Sequence, residues 1–276
     1  MSTFTAVGPA VSLDGPLPAP PPYRLLDAAG VLASEDATRV LNGGNVWGYP
    51  TGCSSLWEPC SDGTFRTKTD VSDMPTARFD SFVVYKPVTC SAIGLSDPSE
   101  LSDRASAVLE ATVSAGVERA LAEGVEGSAN PFFGDGGVVD VTSGTAVAPS
   151  VAFAMLEEAL GAECRVGMIH ATPAVVAALQ PLKMTDGPLV TGNGTPVVSG
   201  MGYQGVDTPF LASPAATEDW IFATGPPRVH LGPVVTTTVR ETLDRSDNTL
   251  TFRAERYVLA YWDTAVQAAA LVDWAT

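Results

Sequence analysis

The clearest periodic signal runs from Asp97 to Gly124, where Leu101, Ala105, Val108, Leu109, Thr112, Val113, Val117, Ala120 and Leu121 recur at helical spacing. Asp97 suits the N-cap, Pro98 the first helical position and Glu100 the third, which together form a capping box. Gly124 supplies a left-handed stop. The spacing predicts one helix of about 26 residues, roughly 40 Å long. Its apolar stripe is narrow and its other faces are small or charged, as expected of a spine laid along one side of a sheet.

Two-residue periodicity appears on either side of that helix. Residues 63–71 (GTFRTKTDV) and 77–87 (ARFDSFVVYKP) are rich in β-branched and aromatic residues and read as strands, with SDMPT between them as a turn. They predict a long β-ribbon in which neither strand has a fully apolar face, so the ribbon should lie on another surface. The chain up to Pro22 is rich in Pro, Gly and Ala and predicts an extended arm. Residues 23–44 predict a short helix ending at Gly43-Gly44. A loop is expected from Gly127 to Gly137. A helix ended by Gly161, a buried strand (CRVGMIHA) and a helix opened by Thr172-Pro173 should follow. The Gly-rich stretch 192–205 predicts turns. The last third reads as strands, with RSDN as a hairpin turn. Strands and helices mix without βαβ regularity, which predicts an α+β fold.

Composition narrows the classes. Hydrophobic residues make up 45% of the 276-residue chain, enough for a sizeable core. No apolar run reaches the roughly 18 residues of a membrane span, and no basic region precedes the N-terminal apolar residues, so a soluble chain made in the cytoplasm is expected. The net charge is −16, and the only lysines are Lys68, Lys86 and Lys183. Sequence-specific binding of nucleic acid needs a clustered basic face, and none is visible. Cys53 and Cys60 are spaced too widely for a zinc knuckle. Reduced thiols are expected, with a Cys53–Cys60 loop as the alternative in oxidising surroundings.

Candidate chemistry is sparse. His170 and His230 are the only histidines, and with the cysteines scattered no spacing offers three converging metal ligands. No cofactor motif is present: the glycines of 192–205 lack both a P-loop and a dinucleotide fingerprint. A hydrolase using His170 and Ser199 is the only catalytic reading left, without the G-x-S-x-G elbow. His170 lies at a strand–helix corner and reads better as a structural residue, so no enzyme activity is expected.

The order of parts resembles the major capsid proteins of tailed phages, the HK97-like fold. FRTKTDVSDMPTARFDSFVVYKPVTC is similar to the extended loop (E-loop) of that family and DPSELSDRASAVLEATVSAGVERALAEGV to its spine helix. VAFAMLEEALGAECRVGMIHATPAVVAAL is similar to the helix–strand–helix of its axial (A) domain. ATGPPRVHLG and NTLTFRAERYVLAYWDTAVQAAALVD look like the returning strands. The resemblance implies an arm over 1–44, an E-loop over 45–95, a peripheral (P) domain over 96–126 and 223–262, and an A domain over 127–222 and 263–276. It implies a structural subunit that self-assembles through hexamers and pentamers into an icosahedral virion head, built in the host cytoplasm and enclosing double-stranded DNA without reading its sequence. Scaffolding, portal and decoration proteins are the further partners it suggests. The E-loop would lie on a neighbour's spine helix, with Phe65, Arg66, Lys68, Arg78, Phe79 and Phe82 meeting acids such as Glu110, Glu118 and Glu123. In some relatives an E-loop lysine is crosslinked to an asparagine, for which Lys68 and Asn248 are the candidates. An encapsulin-like nanocompartment shell and a minor or pentamer capsid subunit are the alternatives within the same fold.

Overall fold

The computed structural model describes residues 16, 18–33, 42–48, 76–91, 98–179, 189–238 and 249–276. The fold is α+β, as expected. Two sheets dominate it. The first, of four strands, has the order β1 (Gly30–Ala33), β10 (Arg228–Thr238), β11 (Thr249–Tyr261), β4 (Phe82–Ser91). Only its β1–β10 pair is parallel. The second, of six strands, has the order β5 (Val139–Asp140), β12 (Gln267–Asp273), β9 (Glu218–Thr224), β6 (Met168–Ala171), β8 (Pro196–Ser199), β7 (Leu189–Val190). A small antiparallel pair joins β2 (Gly44–Trp47) to β3 (Thr76–Phe79).

The predicted spine helix is α2, Pro98–Glu123. It ends where expected, at Gly124, whose φ is +85°; the N-cap, Asp97, lies outside the described residues. Leu101, Ala105, Leu109, Val113, Val117 and Leu121 are all buried. They form an unbroken i, i+4 row, and each step of four residues advances the row about 40° around the helix. The stripe therefore spirals and meets two partners in turn. Leu101, Ala105 and Leu109 pack on Phe252 and Ala254 of β11. Val113, Val117 and Leu121 enter a larger core with Trp220, Phe222, Leu231, Val258 and Trp262, which draws on both sheets. Gly116 lets β4 approach closely, since a Cβ there would stand 2.7 Å from a Val84 methyl.

On its other face the six-stranded sheet is covered by α3 (Pro149–Ala162) and α4 (Pro173–Ala178). Ala152, Phe153, Leu156 and Leu160 of α3 pack there with Ile169, Ile221, Ala268 and Ala270. Thr172 caps α4 as predicted, its Oγ1 accepting the Val175 N–H at 3.4 Å.

Two expectations change. Residues 77–87 do not form one ribbon strand: the chain breaks at Asp80-Ser81, β3 pairs with β2, and β4 pairs with β11 of the four-stranded sheet. The other ribbon strand, 63–71, lies outside the described residues. Residues 23–33 form the short helix α1 (Leu25–Ala28) and then β1, and Gly44 begins β2 rather than ending a helix.

Candidate assembly surface

His170 on β6 is fully buried between Tyr203 and Thr224. Its Nδ1 lies 3.0 Å from the Tyr203 hydroxyl and its Nε2 2.9 Å from Thr224 Oγ1. Thr224 spends its one proton on the Gly225 carbonyl, 2.9 Å away. Thr224 must therefore accept from His170, which makes the ring the Nε2–H tautomer and leaves Nδ1 to accept from Tyr203. Burial lowers the His170 pKa from 6.5 to about 3 and raises that of Tyr203 well above its usual value, with the Glu118 charge adding to the effect. Ser199 cannot complete a catalytic pair. In the parallel β6–β8 register His170 stands beside Val198 and Ala171 beside Ser199, so His170 and Ser199 project from opposite faces of the sheet. No group of three or more His, Cys, Asp or Glu poised for a metal exists among the described residues.

Of the contact residues expected from sequence, Arg78, Phe79, Phe82, Glu110, Glu118 and Glu123 are among the described residues. Phe65, Arg66 and Lys68 lie outside the described residues. Phe79 is 1% exposed, edge-on to Trp262 at 5.0 Å, and Phe82 packs against the same core. Glu118 is 1% exposed and fully engaged within its own chain: Oε1 accepts the Leu25 N–H at 3.0 Å and the Ser114 hydroxyl at 2.9 Å, and Oε2 accepts the Gly202 N–H at 3.0 Å. Phe79 and Glu118 are thus both engaged within their own chain. The 3₁₀ turn Met201–Tyr203 sits so close to α2 that a Cβ on Gly202 would stand 2.3 Å from the Ala115 carbonyl, which is how that N–H reaches a helix carboxylate. Glu123 pairs with Arg119 at 2.7 Å, and the more exposed Glu110 pairs with Arg256 at 3.2 Å. Arg78 is exposed and pairs with Asp80 at 2.8 Å. The acids of α2 are thus met largely by partners within the subunit.

Sequence reasoning missed the outer face of the four-stranded sheet. Val84 and Val88 point at α2, so Val83 and Tyr85 point away from it. Register extends the outer row: Tyr85 stands opposite Glu255, and Glu255 opposite Val235. Val83, Val235 and Leu32 are exposed, Tyr85 is 61% exposed, and Trp47 of the adjacent β2 is 66% exposed. The signal for this face was present in β4, where apolar residues occupy both alternating sets. A strand apolar on both sides is either buried twice or waiting for a partner.

Cys164 is held in a disulfide, which corrects the expectation of reduced thiols at that position; Cys53 and Cys60 lie outside the described residues. No helix among the described residues is long and apolar enough to cross a membrane.

No protein-family model and no curated protein sequence matches this chain. Solved structures do match its fold from end to end. A chain of the capsid of the native GTA particle is 15% identical, with 97% of this chain and 95% of that one covered and a TM-score of 0.57. A chain from Gordonia phage Cozz is 12% identical, with 97% and 91% covered and a TM-score of 0.55. A chain of the holo-SrpI encapsulin complex from Synechococcus elongatus PCC 7942 is 13% identical, with 97% and 92% covered and a TM-score of 0.54. A spine helix packed across two sheets, matched over nearly the whole length of these chains, is the HK97-like capsid fold, and this chain has it.

Proposed function

We propose that this chain is the major capsid protein of a tailed phage, a structural subunit whose copies close into an icosahedral head around double-stranded DNA. The observation that carries the proposal is the end-to-end match to shell chains, which leaves little of the sequence for an added catalytic domain. In this reading the four-stranded sheet with α2 is the P domain, and the six-stranded sheet with α3 and α4 is the A domain that gathers around the five- and six-fold axes. Heterologous contacts of one repeated kind close into rings when their rotations allow it. The exposed outer row of the four-stranded sheet supplies one such contact, and Arg78 and the E-loop residues Phe65, Arg66 and Lys68 supply another. A charge of −16 per subunit keeps a shell from adhering to the polyanion it encloses. Scaffolding, portal and decoration proteins are the partners this role calls for, and the virion its location.

An encapsulin-like compartment is the second reading, favoured by the similar match to the encapsulin chain. Sizing the purified chain and imaging it by negative stain tests both. Closed shells are expected; a monomer or dimer under all conditions sinks the shell assignment. The contents of native particles then divide the readings, since double-stranded DNA supports the phage head and a protein cargo supports the compartment. Deleting residues 51–74 is expected to leave the described fold intact and to stop closure.

A further inference from the structure

Glu118 is the buried carboxylate of α2, and every group that bonds to it is a neutral donor. The Leu25 N–H and the Ser114 hydroxyl meet Oε1, and the Gly202 N–H meets Oε2. Ser114 Oγ in turn accepts the Leu26 N–H at 3.3 Å. One side chain thus ties α1, which leads into β1 of the four-stranded sheet, to the turn that follows β8 of the six-stranded sheet.

The ionisable groups around Glu118 are engaged elsewhere. Tyr203 of the 3₁₀ turn feels the Glu118 charge but gives its hydroxyl to His170 of β6. On α2, Arg119 pairs with Glu123 and donates to the Gln204 carbonyl. On α1, Arg24 pairs with Asp27 at 3.2 Å, and β8 carries no ionisable side chain.

The three donors differ in one respect. Leu25 and Gly202 offer backbone N–H groups, which only donate, whereas the Ser114 hydroxyl can reverse and accept. A proton added to the carboxylate therefore settles on Oε1, where Ser114 Oγ receives its hydrogen bond. Oε1 then loses its charge and a lone pair, and with them the charge-assisted bond from Leu25. Oε2 remains a carbonyl-type acceptor and keeps Gly202.

We propose that Glu118 is an acid-sensitive latch, which holds α1 while ionised and lets it go on taking up a proton. The release is one-sided: α1 loosens, and the turn at Gly202 stays docked. The latch works within one subunit, whether or not copies assemble.

Amide hydrogen exchange on the full chain tests this, read residue by residue from pH 7 to pH 4 and corrected for intrinsic rates. Protection at Leu25 and Leu26 should fall by about tenfold or more, while Gly202 and the core amide of Trp220 change by less than about threefold. His170 does not contribute, because its pKa of about 3 keeps it neutral over this range. Glu118→Gln is uncharged at every pH, so it should show the low Leu25 protection already at pH 7, with no further fall. Asp27→Asn removes the other carboxylate beside Leu25 and should leave the pH dependence in place. An equal fall at Gly202 and Trp220, a fall that survives Glu118→Gln, or one that vanishes in Asp27→Asn overturns the inference. Flat protection at Leu25 in the unaltered chain overturns it with no variant needed.

Discussion

The two sheets solve the burial problem in opposite ways. The six-stranded sheet is covered on both faces: β6 is buried at every position, and β9 and β12 at all but their ends. Along β9, Trp220 and Phe222 enter one core while Ile221 and Ala223 enter the other. The four-stranded sheet is covered on one face by α2 and leaves Tyr85, Val83 and Val235 open on the other. The first sheet is complete within one chain. The second keeps an apolar outer row, Val83, Tyr85 and Val235, that stays exposed.

This contrast can be broken experimentally, most severely in the doubly covered sheet. Trp220 is fully buried and donates its indole N–H to the Ala212 carbonyl at 2.8 Å. Trp220→Ala should cost about 4 kcal/mol in urea unfolding of unassembled subunit; a cost below about 1 kcal/mol would mean that this core is not continuous. Next comes the joint between the sheets. Glu118→Ala leaves the Leu25 and Gly202 N–H groups without their acceptor and should cost about 3 kcal/mol, with faster hydrogen exchange at both amides as the local signature.

A smaller effect depends on pH. The folded state keeps His170 neutral down to about pH 3, while the unfolded chain protonates it below about 6.5. Protons thus bind the unfolded state preferentially in that window, and stability falls as pH falls through it, about tenfold in the folding constant per unit from this group alone. Between pH 6.5 and 5, the loss of stability in His170→Gln should be shallower by that amount. Parallel curves would show that the ring is accessible to protons. The smallest effect belongs to the open face: Tyr85→Ser should change subunit stability by no more than about 0.5 kcal/mol while lowering the yield of shells. A core-sized loss would show that Tyr85 is packed within its own subunit.

How much of this was legible varies by element. Helix α2 could be read nearly to the residue because Pro98, the i, i+4 row and Gly124 are all local signals. The Thr172-Pro173 start of α4 and the buried run of β6 were equally local. Residues 77–87 were misread as one ribbon strand because alternation shows that a strand exists and not which strand it joins. Val84 meets Arg256 across 172 residues of chain, and nothing near Val84 names that partner. Phe79 and Glu118 were expected at a contact because the resemblance places the E-loop on a neighbour's spine helix; that each is also held within its own chain depends on partners far away in sequence.

The sequence by itself determined the long helix, the α+β mixture and the excess of acids over bases. Each follows from neighbours a few residues apart, or from a sum over the whole chain. Only the tertiary structure decided that Glu118 accepts backbone N–H groups from two distant segments, that His170 and Ser199 face opposite ways, and that the four-stranded sheet keeps an open apolar face. Those outcomes depend on strand order and register, which long-range packing selects and local spacing does not encode.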